Sequence, residues 1–187
     1  MPTRTRYFSL LLLMTSLTLC LISVGANTDT RSENEAFSEA VDAVKARNYS
    51  RALTLFEQQA NNAKHDAQYN MAVLLQAGKG RPRNYTDALY WSWLAQLGGI
   101  EEAQDITNDM LDKLTENDIK DVRMRVLESL QLRLDDGDTK AISQFADYHL
   151  TIPDEPNYAM AYIWYSIAVA LNIPGMIDRR DETEGDI

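Results

Sequence analysis

Two histidines, one cysteine and two loops rich in glycine or acid are the places in this 187-residue chain where chemistry could reside. His65 and His149 could bind a metal or carry a proton, yet neither has a Cys or His partner at ligand spacing. Ordinary surface or capping histidines are expected. Asp135-Asp136-Gly137-Asp138 has the composition of a calcium loop but lacks its alternating ligands and distal glutamate, so it reads as punctuation between helices. Gly78-Lys79-Gly80-Arg81-Pro82-Arg83 offers glycines and bases to a phosphate, without the Lys-Ser/Thr ending or preceding strand of a phosphate loop. Lys79, Arg81 and Arg83 are nonetheless the most basic local cluster and the candidate anion contacts. No nucleophile stands out beside a base, no paired carboxylates are evident and no cofactor fingerprint occurs. The expectation is a chain with no catalytic residue, no cofactor and no metal.

The elements that carry these residues are set by a phrase that occurs three times. Asn-Tyr-x-x-Ala stands at Asn48 to Ala52, Asn84 to Ala88 and Asn157 to Ala161, with offsets of 36 and then 73 residues, two periods plus one. A period of this size marks stacked units, none of which can bury its apolar face alone. Ala88, Trp91, Ser92 and Ala95 align with Ala161, Trp164, Tyr165 and Ala168, and with Ala52, Leu55, Phe56 and Gln59. That is i, i+3, i+4, i+7 spacing, which places four side chains on one helical face. Trp91 and Trp164 are expected to fill equivalent gaps, and Trp93 to face elsewhere.

A further helix precedes each of the last two copies, marked by Ala67, Met71 and Ala72 and by Ala141, Phe145 and Ala146. Each unit therefore reads as an antiparallel helix pair. The glycines of the 78–83 connector permit positive φ, and Pro82 prevents the helix from resuming. Between the units lie a helix from about Ile100 to Leu114, a start at Thr115-x-x-Asp118 like a capping box, and a helix to Leu134. The last of these has Ile119, Val122, Val126 and Leu130 on one face. Phe37, Val41 and Val44 mark the first helix of unit one.

Ala67-x-x-x-Met71-Ala72, Gly78-x-Gly80, Asn84-Tyr85-x-x-Ala88-x-x-Trp91 and Ala95-x-x-Gly98 together resemble the Sel-one-like repeat family, relatives of the tetratricopeptide repeats. The family usually has Leu-Gly where Met71-Ala72 stand and an acidic residue where Asn84 stands. The resemblance implies an all-α fold, an α-solenoid of antiparallel helix pairs wound into a right-handed superhelix. It also implies a protein-protein interaction adaptor, whose secreted bacterial members commonly serve cell-envelope complexes.

The amino end reads as a secretory signal. Arg4 and Arg6 precede an apolar run from Leu10 to Val24, and Val24-Gly25-Ala26 offers small residues for cleavage. An uncleaved membrane anchor is the rival reading. Cys20, the sole cysteine, falls inside this segment, so the remainder has no thiol; the bulky Leu19 before it disfavours lipidation. Cleavage after Ala26 would remove two arginines and no acid, taking the formal charge from −10 to −12. Such acidity argues against nucleic acid. The expected organisation is a signal at 1–26, a flexible segment at 27–34, the repeat domain at 35–176 and a charged tail at 177–187.

These readings converge on a periplasmic or secreted adaptor that binds a protein of the cell envelope. The helix from Tyr158 is apolar nearly all round, and with a charged tail after it no cap is expected. Ile163, Ile167, Ala170 and Leu171 would then form an open stripe for a partner helix or a homodimer, unless the helix from Asn117 to Leu134 folds over it. The rival class is a carbohydrate-binding or polysaccharide-assembly factor, using Trp93, Tyr90 and Tyr162 with the basic connector.

Overall fold

The computed structural model describes residues 24–187 of the chain. Arg4, Arg6, Cys20 and the apolar run to residue 23, on which the leader, anchor and lipidation readings rest, lie outside the described residues. Within them the chain is all-helical: α1 Val24–Lys45, α2 Tyr49–Asn61, α3 His65–Ala77, α4 Tyr85–Leu97, α5 Ala103–Leu111, α6 Glu116–Asp135, α7 Lys140–Thr151, α8 Tyr158–Ala170 and α9 Met176–Glu184.

The repeated phrase is a helix start. Asn48, Asn84 and Asn157 are the N-caps of α2, α4 and α8, and their side-chain oxygens accept from the backbone N–H of Arg51 (3.4 Å), Asp87 (3.0 Å) and Met160 (3.1 Å). Each cap satisfies a donor that the first turn would otherwise leave open. The alanine four residues on donates the first backbone bond to its Asn at 3.0 Å in every copy, and it is 0 % exposed in every copy. Asn therefore fixes where the helix begins and Ala fixes where it touches its neighbour. The predicted capping box is present as well, with Thr115 and Asp118 bonded reciprocally at the start of α6.

Most packing is between sequence neighbours: α1 on α2, α2 on α3, α3 on α4, α7 on α8 and α8 on α9. The middle departs from that rule. α5 packs on α4 and α3, while α6 packs on α4 and α7 rather than pairing with α5. Ile119, Val122, Val126 and Leu130 supply the buried face of α6, as their spacing predicts. Arg123 ties that helix to the α7–α8 connector, donating to Ile152 O at 3.2 Å and pairing with Asp154. The principal core runs from α1 to α7, and a small separate cluster of Ala146, Ala161 and Tyr165 holds α8 to α7.

Two glycines permit contacts that a side chain would prevent. Gly80, at φ +85°, lies against the backbone of Tyr49, where an added Cβ would stand 2.6 Å from the carbonyl. Gly98 lies flat on the His65 ring, and a Cβ there would be driven into the imidazole. These contacts seat the second unit on the first and the end of α4 on the start of α3.

Three expectations change. α1 begins at Val24 and runs through 27–34, which the sequence reading sets aside as a flexible segment. Most of the supposed charged tail forms α9, so α8 is not left without a following helix. The burial of the two α4 tryptophans is also the reverse of that expected: Trp93 is 2 % exposed and Trp91, like Trp164, only half-buried, although Ala88, Ser92 and Ala95 of the predicted face are 0 % exposed. Trp93 is covered because α4 is packed by α3, α5 and α6 on different sides, so the face turned away from its paired helix is interior too.

Candidate functional site

The predicted stripe on α8 is open to solvent. Ile163 is 49 % exposed, Ile167 37 % and Leu171 53 %, with Ala159 and Ala170 exposed on the same face. Their spacing, i, i+4, i+8, i+11 and i+12, places them along one side of the helix, where Ser166 is the one polar interruption. The opposite side carries Ala161, Tyr165 and Ala168 against α7. α6, which could have covered the stripe, is engaged with α4 and α7.

α9 occupies the flank of α8, with Met176 packed against the Ala146, Ala161 and Tyr165 cluster and polar contacts beyond it. Asp147 of α7 accepts from Tyr165 Oη at 2.5 Å and pairs with Arg179, whose guanidinium also lies 5.1 Å from the Tyr165 ring centre. Thr183 is buried and donates to Arg179 O at 2.7 Å. Burial raises the Asp147 carboxyl above its ordinary range despite the tyrosine and the arginine, and burial together with the Asp147 bond raises the Tyr165 phenol. α9 thus binds through Met176 and a charged latch and leaves Ile163 and Ile167 uncovered, and its own Ile177 is 56 % exposed.

The other predicted residues are less available. Arg81 donates twice to Glu57, at 3.2 and 2.7 Å, which neutralises it and lowers the glutamate. Lys79 lies over the Tyr49 ring at 5.2 Å from its centre, and Arg83 is exposed. The connector therefore does not bring three free cations together. Of the aromatics that the carbohydrate reading needs, Trp93 is interior, while Tyr90 and Tyr162 remain half-buried.

Both histidines are half-buried. His65 Nδ1–H donates to Gln68 Oε1 at 2.8 Å, and His65 Nε2 accepts from Gln144 Nε2 at 3.1 Å. That tautomer follows from the neighbours: Gln144 Oε1 is held by Arg133 at 2.5 Å, so its amide N–H must face the imidazole. His149 packs with the rings of Phe145 and Tyr148, and burial lowers its pKa. Its Nε2 and the Trp164 Nε1 are buried without a hydrogen bond. No group of three or more His, Cys, Asp or Glu among the described residues is arranged to hold a metal.

Sequence reasoning missed a cleft of about 430 Å³ between α4 and α6, closed at one end by the α2–α3 turn. Tyr90, Trp91 and Leu94 form one wall, Leu132 belongs to the other, and Ala60 and Ala63 lie at the turn. The available signal was Leu132, an apolar residue off the phase of the buried α6 stripe and 59 % exposed. Compared with known proteins, the chain matches no protein-family model, no curated protein and no solved structure.

Proposed function

We propose that the chain is an exported helical adaptor, an α-solenoid of the Sel-one-like kind, that binds a protein partner of the cell envelope through the open face of α8. The observation that carries this reading is the stripe of Ile163, Ile167 and Leu171, between 37 and 53 % exposed on a helix whose other side is packed. Contiguous exposed apolar side chains of this sort mark interaction surfaces. The three capped copies of one phrase support the repeat reading, and the signal-like amino end supports export. A partner helix lying along α8 would cover the stripe with i, i+3, i+4 contacts. A second copy of the chain is the other occupant that this face fits. No cofactor or catalytic residue has a part in the proposal.

The test is affinity capture from an envelope fraction with the chain beginning at Asn27, alongside Ile163→Glu and Ile167→Glu variants. A protein retained by the wild type and released by folded variants supports the reading. Binding on glycan arrays with tryptophan quenching, unaffected by the two variants, would replace it with the carbohydrate reading. Mass spectrometry of the native protein is expected to find an amino terminus near Asn27.

A further inference from the structure

The α4–α6 cleft is a second surface, independent of the α8 stripe. Tyr90, Trp91 and Leu94 line it from α4 at helical spacing, and Arg125, Glu128 and Leu132 line it from α6 with Asp136 at that helix's C-cap. The two helices run in the same direction along it. Asp87 meets Arg125 at 2.9 Å at one end, and Gly98 and Arg133 border a common hollow at the other. The twelve residues from Arg125 to the α6 C-cap Asp136 extend about 16 Å, eleven steps of about 1.5 Å. That length matches about three turns of a helix laid in the groove.

Charge selects the occupant. Arg125 is held by Asp87 and lies 4.6 Å from the Tyr90 ring centre, while Arg133 is held by Asp138 and Gln144. Both cations of the cleft are therefore matched from within the chain. Glu128 and Asp136 have no hydrogen-bond or ion-pair partner for their carboxylates among the described residues, so the cleft presents an apolar floor with a net negative rim. An anionic segment would meet two uncompensated carboxylates, whereas a cationic one would gain two charge-assisted contacts.

We propose that the groove between α4 and α6 binds an amphipathic helical segment of another protein, with aliphatic side chains on the Tyr90–Trp91–Leu94 and Leu132 walls and lysine or arginine opposite Glu128 and Asp136. This surface recognises its partner by charge and shape together, while the α8 stripe offers only apolar contact.

Two synthetic peptides of about sixteen residues, one Leu/Lys and one Leu/Glu at identical apolar positions, test the proposal by titration into the 15N-labelled chain. The Lys peptide should bind about tenfold or more tightly than its Glu twin, with shifts concentrated in Tyr90–Leu94 and Glu128–Leu132. Glu128→Gln with Asp136→Asn should weaken it about fivefold or more, and Leu132→Asp should abolish binding while the fold persists, since Leu132 is 59 % exposed. Glu101→Gln with Glu102→Gln makes the same charge change outside the cleft and should leave the affinity within about twofold. The proposal is overturned if the twins bind alike, if neither binds, if the control pair weakens binding equally, or if the shifts map to the α8 stripe.

Discussion

α4 and α8 begin with the same phrase, the same asparagine cap and the same buried alanine, yet they end in opposite circumstances. α4 buries Ala88, Leu89, Ser92, Trp93, Leu94, Ala95 and Leu97, whereas α8, the more apolar of the two, buries only Ala161, Tyr165 and Ala168. The difference lies in their neighbours. α4 is enclosed by α3, α5 and α6, while α8 has α7 on one side and the polar α9 on another. Burial along these helices follows how many elements surround them, and side-chain hydrophobicity sets only what the uncovered face will look like to a partner.

The sharpest way to break this comparison is to truncate a tryptophan in each helix. Trp93→Ala should cost about 3 to 5 kcal/mol, the range for a fully buried aromatic, and Trp164→Ala less, because Trp164 is half-buried. Equal shifts of the urea midpoint would show that the two helices are equally enclosed. Gly98→Ala should follow at about 1 to 3 kcal/mol, because the methyl group displaces the His65 ring and with it the Gln68 and Gln144 bonds. A midpoint unchanged from wild type would contradict that contact.

The sequence made part of this asymmetry legible. The period, the helix pairs around the phrase, the α6 face and the exposure of Ile163, Ile167 and Leu171 all follow from spacing within about one turn, which local pattern encodes well. What escaped depends on which helices meet at long range. Trp93 reads as outward in any two-helix unit, and the packing of α5 and α6 onto α4 makes that side interior. The packing of α6 onto α4 also creates the cleft, so its wall residues had no shared motif to announce them. α9 escaped for another reason: Met176 to Glu184 carries no apolar stripe, and a single methionine, Met176, with the Arg179 contacts to Asp147 and Tyr165 attaches it in a way that periodicity does not register.

Smaller effects distinguish the two regions further. Removing the cap with Asn157→Ala should cost about 1 kcal/mol and Asn84→Ala somewhat more, up to about 2 kcal/mol, as measured by thermal melts, since Asn84 also donates to Asp87 Oδ2 at 2.7 Å and accepts from Thr86 Oγ1 at 2.8 Å. A larger cost at Asn157 would mean that the additional Asn84 bonds do not strengthen the cap. Acid should remove the His149 contribution to the α7–α8 side. Burial lowers His149 in the folded protein, so its contribution is present above the unfolded value near 6.5 and is lost as pH falls through the window below it. The drop in stability between pH 7.5 and 5.5, roughly a unit either side of that value, should shrink in His149→Phe. An identical drop in the variant would remove His149 as its source.

The open face of α8 is tested most directly by the double variant Ile163→Glu, Ile167→Glu in the chain beginning at Asn27. With side chains 49 and 37 % exposed, it should keep wild-type helicity and a denaturation midpoint within about 0.5 kcal/mol, and it should lose the partner or self-association that the wild type retains. An unfolded variant would return the stripe to the core, and a folded one with unchanged binding would show that α8 is not the docking face.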